Sequence, residues 1–403
     1  MEALRTIGQD ARMLVCEKIS DSGYIEKAAS DMSIKRSFLS ERLRIFLANG
    51  FNRKTLFKID TGEEGLNLAK HPLVRKADAV LLNWVNQGML SLKDIKEILL
   101  LGKPVILTMH DMWYMTGICH HADRCTHYKE ECGDCFLLGK KASVTDLSHK
   151  VWEQKNVLYN FSGLNGKVAF VAVSKWLERK AGESSLLRAQ RVEVIPNTFQ
   201  PCHNNLKAGK KDKIRILFGA ARLDDPIKGL ETLKETINLL VSTHPELARK
   251  LEIAMFGAVK NEMALEGFKL PVMRLGILHG EEEVAGAYHS ADILVSASSY
   301  ETFGATLVEA QAYGCIPVSF SRGGQTDIID NYFTGYLATY SEDLETRAKN
   351  LADGILWAVS TIEDEEAYGK IARRMRCNVE NRFSYKKVAE SYVKLINHLQ
   401  AQK

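Results

Sequence analysis

The sequence predicts an α/β protein built from two doubly wound domains. Near-continuous runs of Val, Ile and Leu alternate with helical segments in two separate series, and a polar stretch divides the series. Such runs are typical of parallel strands that helices cover on both faces. The length of 403 residues also favours two domains over one. We place the first domain at residues 1–198, the second at residues 213–378, and a C-terminal helix at residues 379–403.

The order of elements supports this division. In the first series, residues 1–10 read as the tail of a helix, and residues 91–101 read as a second helix. Strands are predicted there at residues 11–16, 78–84, 104–109, 167–174 and 192–195. In the second series, strands are predicted at residues 214–219, 251–256, 272–275, 292–298, 316–320 and 336–339, and helices at residues 228–242, 282–290 and 385–400. Ligands of doubly wound sheets bind beyond the carboxyl ends of the strands, so the cleft between the domains is the expected site.

Composition narrows the function classes. A formal net charge of +4 is too small to indicate a nucleic-acid partner. No apolar run approaches the ~18 residues that cross a bilayer, and the first residues lack the pattern of a signal peptide. We therefore expect a cytoplasmic protein whose eight cysteines stay reduced.

Residues 34–58 form a basic amphipathic stretch with seven basic residues and one acid, Glu41. Apolar residues are interleaved with the charges. Such a stretch can lie on an anionic membrane surface. More often it is a helix whose apolar side faces the core and whose basic side is solvated, and we favour that interpretation. The membrane alternative would place the protein at the inner face of the plasma membrane, where it could act on a lipid-linked ligand.

The segment 295–324 carries the first candidate site. Glu301 lies in a turn, and Glu309 follows eight residues later inside a helix that Gly304, Ala305 and Thr306 open. Carboxylates accept hydrogen bonds from sugar hydroxyls, and the N-terminus of a helix favours phosphate. The pattern thus suits a ligand with hydroxyls and phosphates. The alternative is an ordinary capping box formed by Thr306 and Glu309, with Glu301 solvated.

Residues 214–230 carry the second candidate site. A strand runs into small residues, followed by Arg222 and Lys228 before a helix. Arg can bind a phosphate through two parallel hydrogen bonds, while Lys supplies a point charge. The segment matches neither the P-loop nor the dinucleotide-binding fingerprint. Taken alone, the two cations could equally be ordinary surface residues.

Taken together, these motifs resemble the retaining GT-B glycosyltransferases of family 4, also called group 1. The resemblance is carried by Arg222, Lys228-Gly229, the pair Glu301 and Glu309 with Phe303-Gly304 between them, Leu275-Gly276 and Gly323-Gly324. It implies two Rossmann-like domains that face a central cleft, with the C-terminal helix crossing back to the first domain. It further implies transfer of a hexose, with retention, from a UDP- or GDP-sugar to a surface polysaccharide or a lipid-linked glycan.

The same resemblance implies roles for individual residues. Arg222 and Lys228 would bind the donor diphosphate, Glu301 the hydroxyls of the transferred sugar, and Glu309 the ribose. Backbone N–H groups of the segment Phe303, Gly304, Ala305, Thr306 and Leu307 would meet the phosphates, and Gly276, Ile277 and Leu278 would border the base. His110, after the strand 104–109, would lie near the sugar, with Asp111 orienting its ring. The family needs no catalytic metal.

Four of the eight cysteines, Cys119, Cys125, Cys132 and Cys135, fall within 17 residues. In a reducing compartment this clustering predicts a structural zinc site. The alternative is four free thiols in a packed loop. A similar loop occurs in colanic-acid and capsule glycosyltransferases. A metal-dependent interaction module built on this loop is a competing hypothesis for the function.

The family normally begins with a strand and a Gly-rich turn, whereas Met1 falls in the helix that should follow them. This difference leads us to consider an alternative function. The chain would then be a non-catalytic GT-B protein that binds sugar nucleotides without transferring the sugar.

Overall fold

A computed structural model describes residues 1–161, 166–202 and 213–402. The chain divides into two compact units. Unit 1 comprises Met1–Pro196 together with Val388–Lys403, and unit 2 comprises Asn197–Lys387. Most of the polar stretch predicted as a linker, residues 203–212, lies outside the described residues.

Unit 1 contains two parallel sheets. Strands β1 (Met13–Val15) and β2 (Ile25–Lys27) pair with each other. A second sheet has the order β3-β4-β5-β6, formed by β3 (Val80–Asn83), β4 (Val105–Met109), β5 (Val168–Ala172) and β6 (Val192–Val194). The helices are α1 (Glu2–Thr6), α2 (Asp31–Ala48), α3 (Pro72–Lys76), α4 (Leu92–Leu99), α5 (Leu147–Tyr159) and α6 (Lys175–Glu183). Every residue of β4 is buried, which explains why all of them except Thr108 are apolar.

The C-terminal helix α12 (Tyr385–Ala401) completes the core of unit 1. Its residues Val388, Leu395 and Leu399 belong to one buried cluster with Ile106 of β4 and Val171 of β5. The chain rejoins unit 1 at Val388, later than the residue 379 that we expected. The reason is that the preceding helix α11 (Glu365–Arg382) still belongs to unit 2.

Helix α2 agrees only in part with our interpretation of the basic stretch. It ends at Ala48, and its buried residues include the charged Glu41 and Arg42. Glu41 accepts hydrogen bonds from Thr61 N and Thr61 Oγ1 at 2.6 and 2.7 Å, and Arg42 pairs with the buried Asp60 at 3.1 Å. The buried side of the helix, which we expected to be apolar, thus combines Ile45 with these two charged residues. Three leucines one helical turn apart are instead more than half exposed: Leu39, Leu43 and Leu47.

Unit 2 is one parallel sheet with helices around it. The order is β12-β11-β10-β7-β8-β9. Its strands are β7 (Ile214–Arg222), β8 (Leu251–Ala258), β9 (Val272–Gly276), β10 (Ile293–Ser296), β11 (Ile316–Phe320) and β12 (Tyr336–Ala338). Besides α11, its helices are α7 (Leu230–Thr243), α8 (Gly280–Ser290), α9 (Ala305–Ala312) and α10 (Leu344–Glu363). Among the described helices of both units, none has the length and apolar composition that crossing a bilayer requires.

Lys155 of α5 anchors the loop that follows β4. It is fully buried, and its Nζ donates to the carbonyl oxygens of Trp113, Gly117 and Thr116 at 2.6, 2.9 and 3.1 Å. The ammonium also lies 3.6 Å from the centroid of the Trp113 ring. Burial lowers the pKa of Lys155 to about 7. One side chain therefore donates to three carbonyl groups of the loop, of which that of Trp113 also accepts from Thr116 N at 3.4 Å.

We expect Lys155→Met to lower the free energy of unfolding by about 2–4 kcal/mol, because three carbonyl groups of the loop lose the hydrogen bond from the buried ammonium. Urea unfolding followed by circular dichroism measures the change. Lys150→Met, at an exposed position of the same helix, is the matched control and should leave the midpoint nearly unchanged. Equal midpoints for the two variants would show that the buried ammonium is dispensable.

Candidate functional site

The sheet of unit 2 reverses its direction of growth between β7 and β10. The chain proceeds from β7 outward through β8 and β9, then returns to β10 and continues through β11 and β12 on the other side. The loops that follow β7 and β10 therefore diverge at one point of the carboxyl edge. In open α/β sheets such a switch point is where ligands bind. Arg222 ends β7, and Glu301 follows β10 in the chain.

Lys228 and Glu301 meet across this switch point. Lys228 Nζ lies 2.7 Å from Glu301 Oε1, which also accepts a hydrogen bond from Ser298 Oγ at 2.8 Å. The side chains of Lys228 and Glu301 are 31% and 21% exposed. The hydrogen bond from Ser298 thus holds Glu301 in place, and the side chains of Lys228 and Glu301 both remain accessible to solvent.

Glycines bring the backbone of the two loops together. Gly229, which follows Lys228, has φ +74°, and a β-carbon there would lie 2.1 Å from the Ala297 carbonyl oxygen. Behind Glu301, a β-carbon on Gly323 would lie 2.5 Å from the Glu301 carbonyl oxygen. That same oxygen accepts from Gly324 N at 2.7 Å. Any larger side chain at Gly229 or Gly323 would push the Lys228–Glu301 pair apart.

Helix α9 begins next to Glu301 with an open N-terminus. Its N-cap is Gly304 with φ +105°, and no side chain caps it. The capping box of Thr306 and Glu309, our alternative interpretation of this segment, does not form. Phe303 is buried against the Phe383 ring at 5.8 Å between centroids. Phe303 can therefore meet a ligand through its backbone alone.

Glu309 lies deeper in α9, beside the hydroxyl of Tyr288. Burial raises the pKa of this carboxyl, and the nearby Tyr288 hydroxyl acts in the opposite direction. The Tyr288 ring in turn contacts the rings of Phe256 and Tyr313 at 5.9 and 6.2 Å. A β-carbon on Gly219 of β7 would lie 2.1 Å from the Phe256 ring. Aromatic side chains thus connect Glu309 to the strand that ends in Arg222.

Arg222 does not join the Lys228–Glu301 pair directly. Its guanidinium lies 3.2 Å from Asp225 and 3.5 Å from Asp224, both in the loop that follows β7. Asp224 is fixed by hydrogen bonds from Lys260 N and Asn261 N. Among the four charged residues that we selected, the structure joins Lys228 to Glu301 by an ion pair. It leaves Arg222 and Glu309 with other partners.

The end of β9 offers an apolar border at the same carboxyl edge. Gly276 has φ +74° and turns the chain towards α8. Ile277 is 60% exposed and Leu278 is half-buried. An exposed isoleucine at this edge can cover a flat ligand surface, which is the chemistry expected of residues that border a base.

In unit 1, Asp111 holds a histidine other than the one that we expected. Its carboxylate accepts from His120 Nδ1 at 2.7 Å, from Trp113 N at 2.8 Å and from Trp84 Nε1 at 3.1 Å. Burial raises the pKa of Asp111, but the contacts with His120 outweigh it, so the pKa lies below its usual range. His110 Nε2 instead lies 3.4 Å from Asn83 Oδ1, and burial lowers its pKa.

Sequence reasoning did not select His120 or Trp84. Asn83 ends β3 and Trp84 follows it, while His110 and Asp111 follow β4, and the register of these parallel strands puts all four at one edge. Trp84 is the last residue of the strand predicted at residues 78–84, and an aromatic residue at the carboxyl end of a predicted strand was the available signal.

The four clustered cysteines are free thiols. Cys132 and Cys135 are buried, Cys119 and Cys125 are half-buried, and Cys132 Sγ accepts from Gly117 N at 3.2 Å. Burial raises the pKa of Cys132 to about 12 and that of Cys135 to about 11. Within the described ranges, no three His, Cys, Asp or Glu side chains are arranged to hold a metal ion. The geometry therefore gives the zinc hypothesis no support, and zinc binding stays a prediction.

Metal analysis of the purified protein tests that prediction. Zinc binding requires about one ion per chain, with a lower Tm after chelation. It also requires that Cys132→Ser lose the ion, whereas Cys377→Ser, at an exposed cysteine of α11, keeps it. A metal-free protein whose Tm is insensitive to chelator would establish four packed thiols instead.

Unit 1 also contains a cavity of about 630 Å3 that no motif indicated. Its lining includes Arg36 of α2 together with Lys70 and His71. These residues come from two segments far apart in the sequence, so only the folded chain brings them together.

The second half of the chain matches a known family. Residues 205–375 match the model described as glycosyl transferases group 1. This match falls in the part of the chain that forms unit 2 and covers less than half of the whole chain. An uncharacterised glycosyltransferase of Methanocaldococcus jannaschii is 25% identical over 236 residues, which are 55% of this chain and 58% of that protein. The chain spans about half the length of the curated relatives that it matches.

Solved structures show the fold of both units. A glycosyltransferase from Rickettsia africae ESF-5 superposes with a TM-score of 0.62 at 16% identity, covering 99% of this chain and 92% of that one. Anabaena HepE, crystallised with UDP-glucose, superposes with a TM-score of 0.52 at 16% identity, covering 82% of each chain. The predicted GT-B fold with two Rossmann-like domains is confirmed at the level of these two units.

Proposed function

We propose that this protein is a retaining glycosyltransferase that moves a hexose from a UDP- or GDP-sugar to a surface polysaccharide or a lipid-linked glycan. The observation that carries the proposal is the Lys228–Glu301 pair at the switch point of unit 2. The match of residues 205–375 to the group 1 model supports it. The complex of HepE with UDP-glucose supports the class of donor, as a property of that protein.

The charges suit an activated sugar. Breaking the bond between sugar and diphosphate leaves an anionic nucleoside diphosphate, so fixed positive charge at the leaving group accelerates the reaction. Lys228 and Arg222 provide this charge, and in the free protein carboxylates hold both of them ready. The open N-terminus of α9 provides further N–H donors to phosphate.

The carboxylates suit hydroxyl groups. Glu301 accepts from hydroxyls of the transferred hexose while Lys228 turns towards the diphosphate. Glu309 accepts from the ribose, with Ile277 and Leu278 bordering the base. The leaving phosphate takes the proton of the acceptor on the face from which it departs, so no protein nucleophile is needed. We also propose a catalytic role for His110 of unit 1.

Replacing Glu309 tests the donor site. Nucleotide sugars that bind the folded protein raise its Tm, and we expect UDP- or GDP-hexoses to do so. Glu309→Gln should weaken donor affinity about 10- to 100-fold, because a neutral amide is a weaker partner for two ribose hydroxyls than a carboxylate. Isothermal titration of the full chain measures the affinity.

Glu345→Gln is the matched control, since it alters an exposed carboxyl of α10. Its donor affinity should equal that of the unchanged protein. An unaltered affinity in Glu309→Gln would remove the assigned role. If no UDP- or GDP-sugar raised the Tm, the proposed activity itself would be refuted.

We further propose that helix α2 contacts an anionic membrane surface. The exposed stripe of Leu39, Leu43 and Leu47 continues into Phe51, which is 64% exposed. Basic residues flank the stripe, namely Lys35, Arg36, Arg44, Arg53, Lys54 and Lys58. Each basic residue near an anionic surface contributes about 1 kcal/mol, and exposed leucines insert below the headgroups.

Vesicle sedimentation tests the contact. The chain should sediment with vesicles of phosphatidylglycerol and phosphatidylethanolamine but not with phosphatidylcholine alone, and about 0.5 M salt should weaken the binding. Leu43→Glu should abolish it, because a carboxylate would enter the headgroup region. Met263→Glu, at a 70% exposed methionine of unit 2, should have no effect. Equal sedimentation of both variants would contradict the contact.

A further inference from the structure

Trp84 is an exposed aromatic residue at a sheet edge that otherwise carries polar groups. It follows β3 directly and is 44% exposed, whereas the next residues, Val85 and Asn86, are 2% and 5% exposed. Because β3 and β4 are parallel neighbours, Trp84 lies at the same edge as His110 and Asp111. An exposed tryptophan beside convergent polar groups is typical of a ligand site.

The indole is fixed by its single polar atom. Trp84 Nε1 donates to Asp111 Oδ2 at 3.1 Å, and the same oxygen accepts from His120 Nδ1 at 2.7 Å. The Trp84 and His120 rings lie 6.3 Å apart with 33° between their planes. Since the indole has no other polar group, the surface that remains accessible is carbon.

The backbone holds the ring outward at a cost. Trp84 has φ +43°, in the left-handed region, which is strained for a residue other than glycine. The following turn is locked against α2, because a β-carbon on Gly88 would lie 2.8 Å from the backbone of Ser37. Ser37 Oγ also donates to the Gly88 carbonyl at 2.6 Å. The fold therefore holds the Trp84 ring in its exposed position by a backbone conformation that tryptophan rarely adopts.

We propose that Trp84 is a stacking surface for a pyranose ring of the acceptor glycan. A pyranose presents a face of C–H groups that packs on an indole, while its hydroxyls need polar partners around the rim. His110 and Asn83 supply those partners at the same sheet edge. The assignment to the acceptor rests on the proposed function, in which unit 2 binds the donor. Sugar stacking itself does not depend on it.

Two substitutions distinguish the effect of the aromatic ring of Trp84 from the effect of its N–H hydrogen bond. Trp84→Phe and Trp84→Leu both remove the N–H donor and both keep a β-carbon at the same backbone conformation, but Leu lacks an aromatic face. Saturation-transfer NMR of the full chain with methyl glycosides of glucose, galactose, mannose and N-acetylglucosamine measures sugar contact. We expect transfer to at least one glycoside, kept in Trp84→Phe and reduced about fivefold in Trp84→Leu.

Phe136→Leu, at a 55% exposed phenylalanine of unit 1, is the control and should transfer as the unchanged protein does. In the unchanged protein, the bound glycoside should also shift the indole N–H resonance of Trp84, assigned by its loss in Trp84→Phe. This measurement stands even where Trp84→Leu does not fold. No transfer to any glycoside, or equal transfer in a folded Trp84→Leu, overturns the proposal.

Competition decides which sugar stacks on the ring. Under the proposal, UDP-glucose and GDP-mannose leave the glycoside signal in place. Displacement by either would assign the ring to the donor sugar and overturn the acceptor assignment. Glycoside binding that depends on Trp84, in a chain that no nucleotide sugar stabilises, would support sugar stacking and refute the proposed glycosyl transfer.

Discussion

The parallel pairing of the strands determines where the reactive side chains of this protein meet. In unit 2 all strands end at one edge, and the order reverses between β7 and β10. Lys228 and Glu301, far apart in the chain, therefore face one another at 2.7 Å. In unit 1 the same rule brings Trp84 and Asp111 to the ends of β3 and β4. The strand order thus determines which loops meet at the carboxyl edge of each sheet.

The protein uses buried and exposed charge differently. Arg42 and Asp60 form a buried pair that fixes α2, and the buried ammonium of Lys155 fixes the loop after β4. Neither is free to take part in chemistry without loss of structure. The Lys228–Glu301 pair is partly exposed, so a ligand with phosphate and hydroxyl groups can exchange partners with it at lower cost. Accessibility, more than charge itself, separates the binding groups from the structural ones.

Asp111 shows how a single buried carboxylate can organise a surface. It accepts hydrogen bonds from an indole, an imidazole and a backbone amide, which joins the residue after β3 to the loop after β4. The loop that supplies two of these donors is anchored from below by Lys155. The orientation of Trp84 and His120 thus depends on the contacts that the buried Lys155 makes with this loop. A substitution of Lys155 would therefore change the position of side chains at the sheet edge.

The sequence by itself determined the strands of unit 2. The strand predicted at residues 316–320 is β11 without any shift, and all five of its residues are buried. Residue type and spacing made Glu301 and Lys228 candidates, and the family resemblance assigned them to one site; the structure joins them in an ion pair. Only the tertiary structure decided which face of α2 is buried and which histidine Asp111 holds. Those outcomes depend on partners such as Asp60, Thr61 and Trp84, which lie far away in sequence and which no local period encodes.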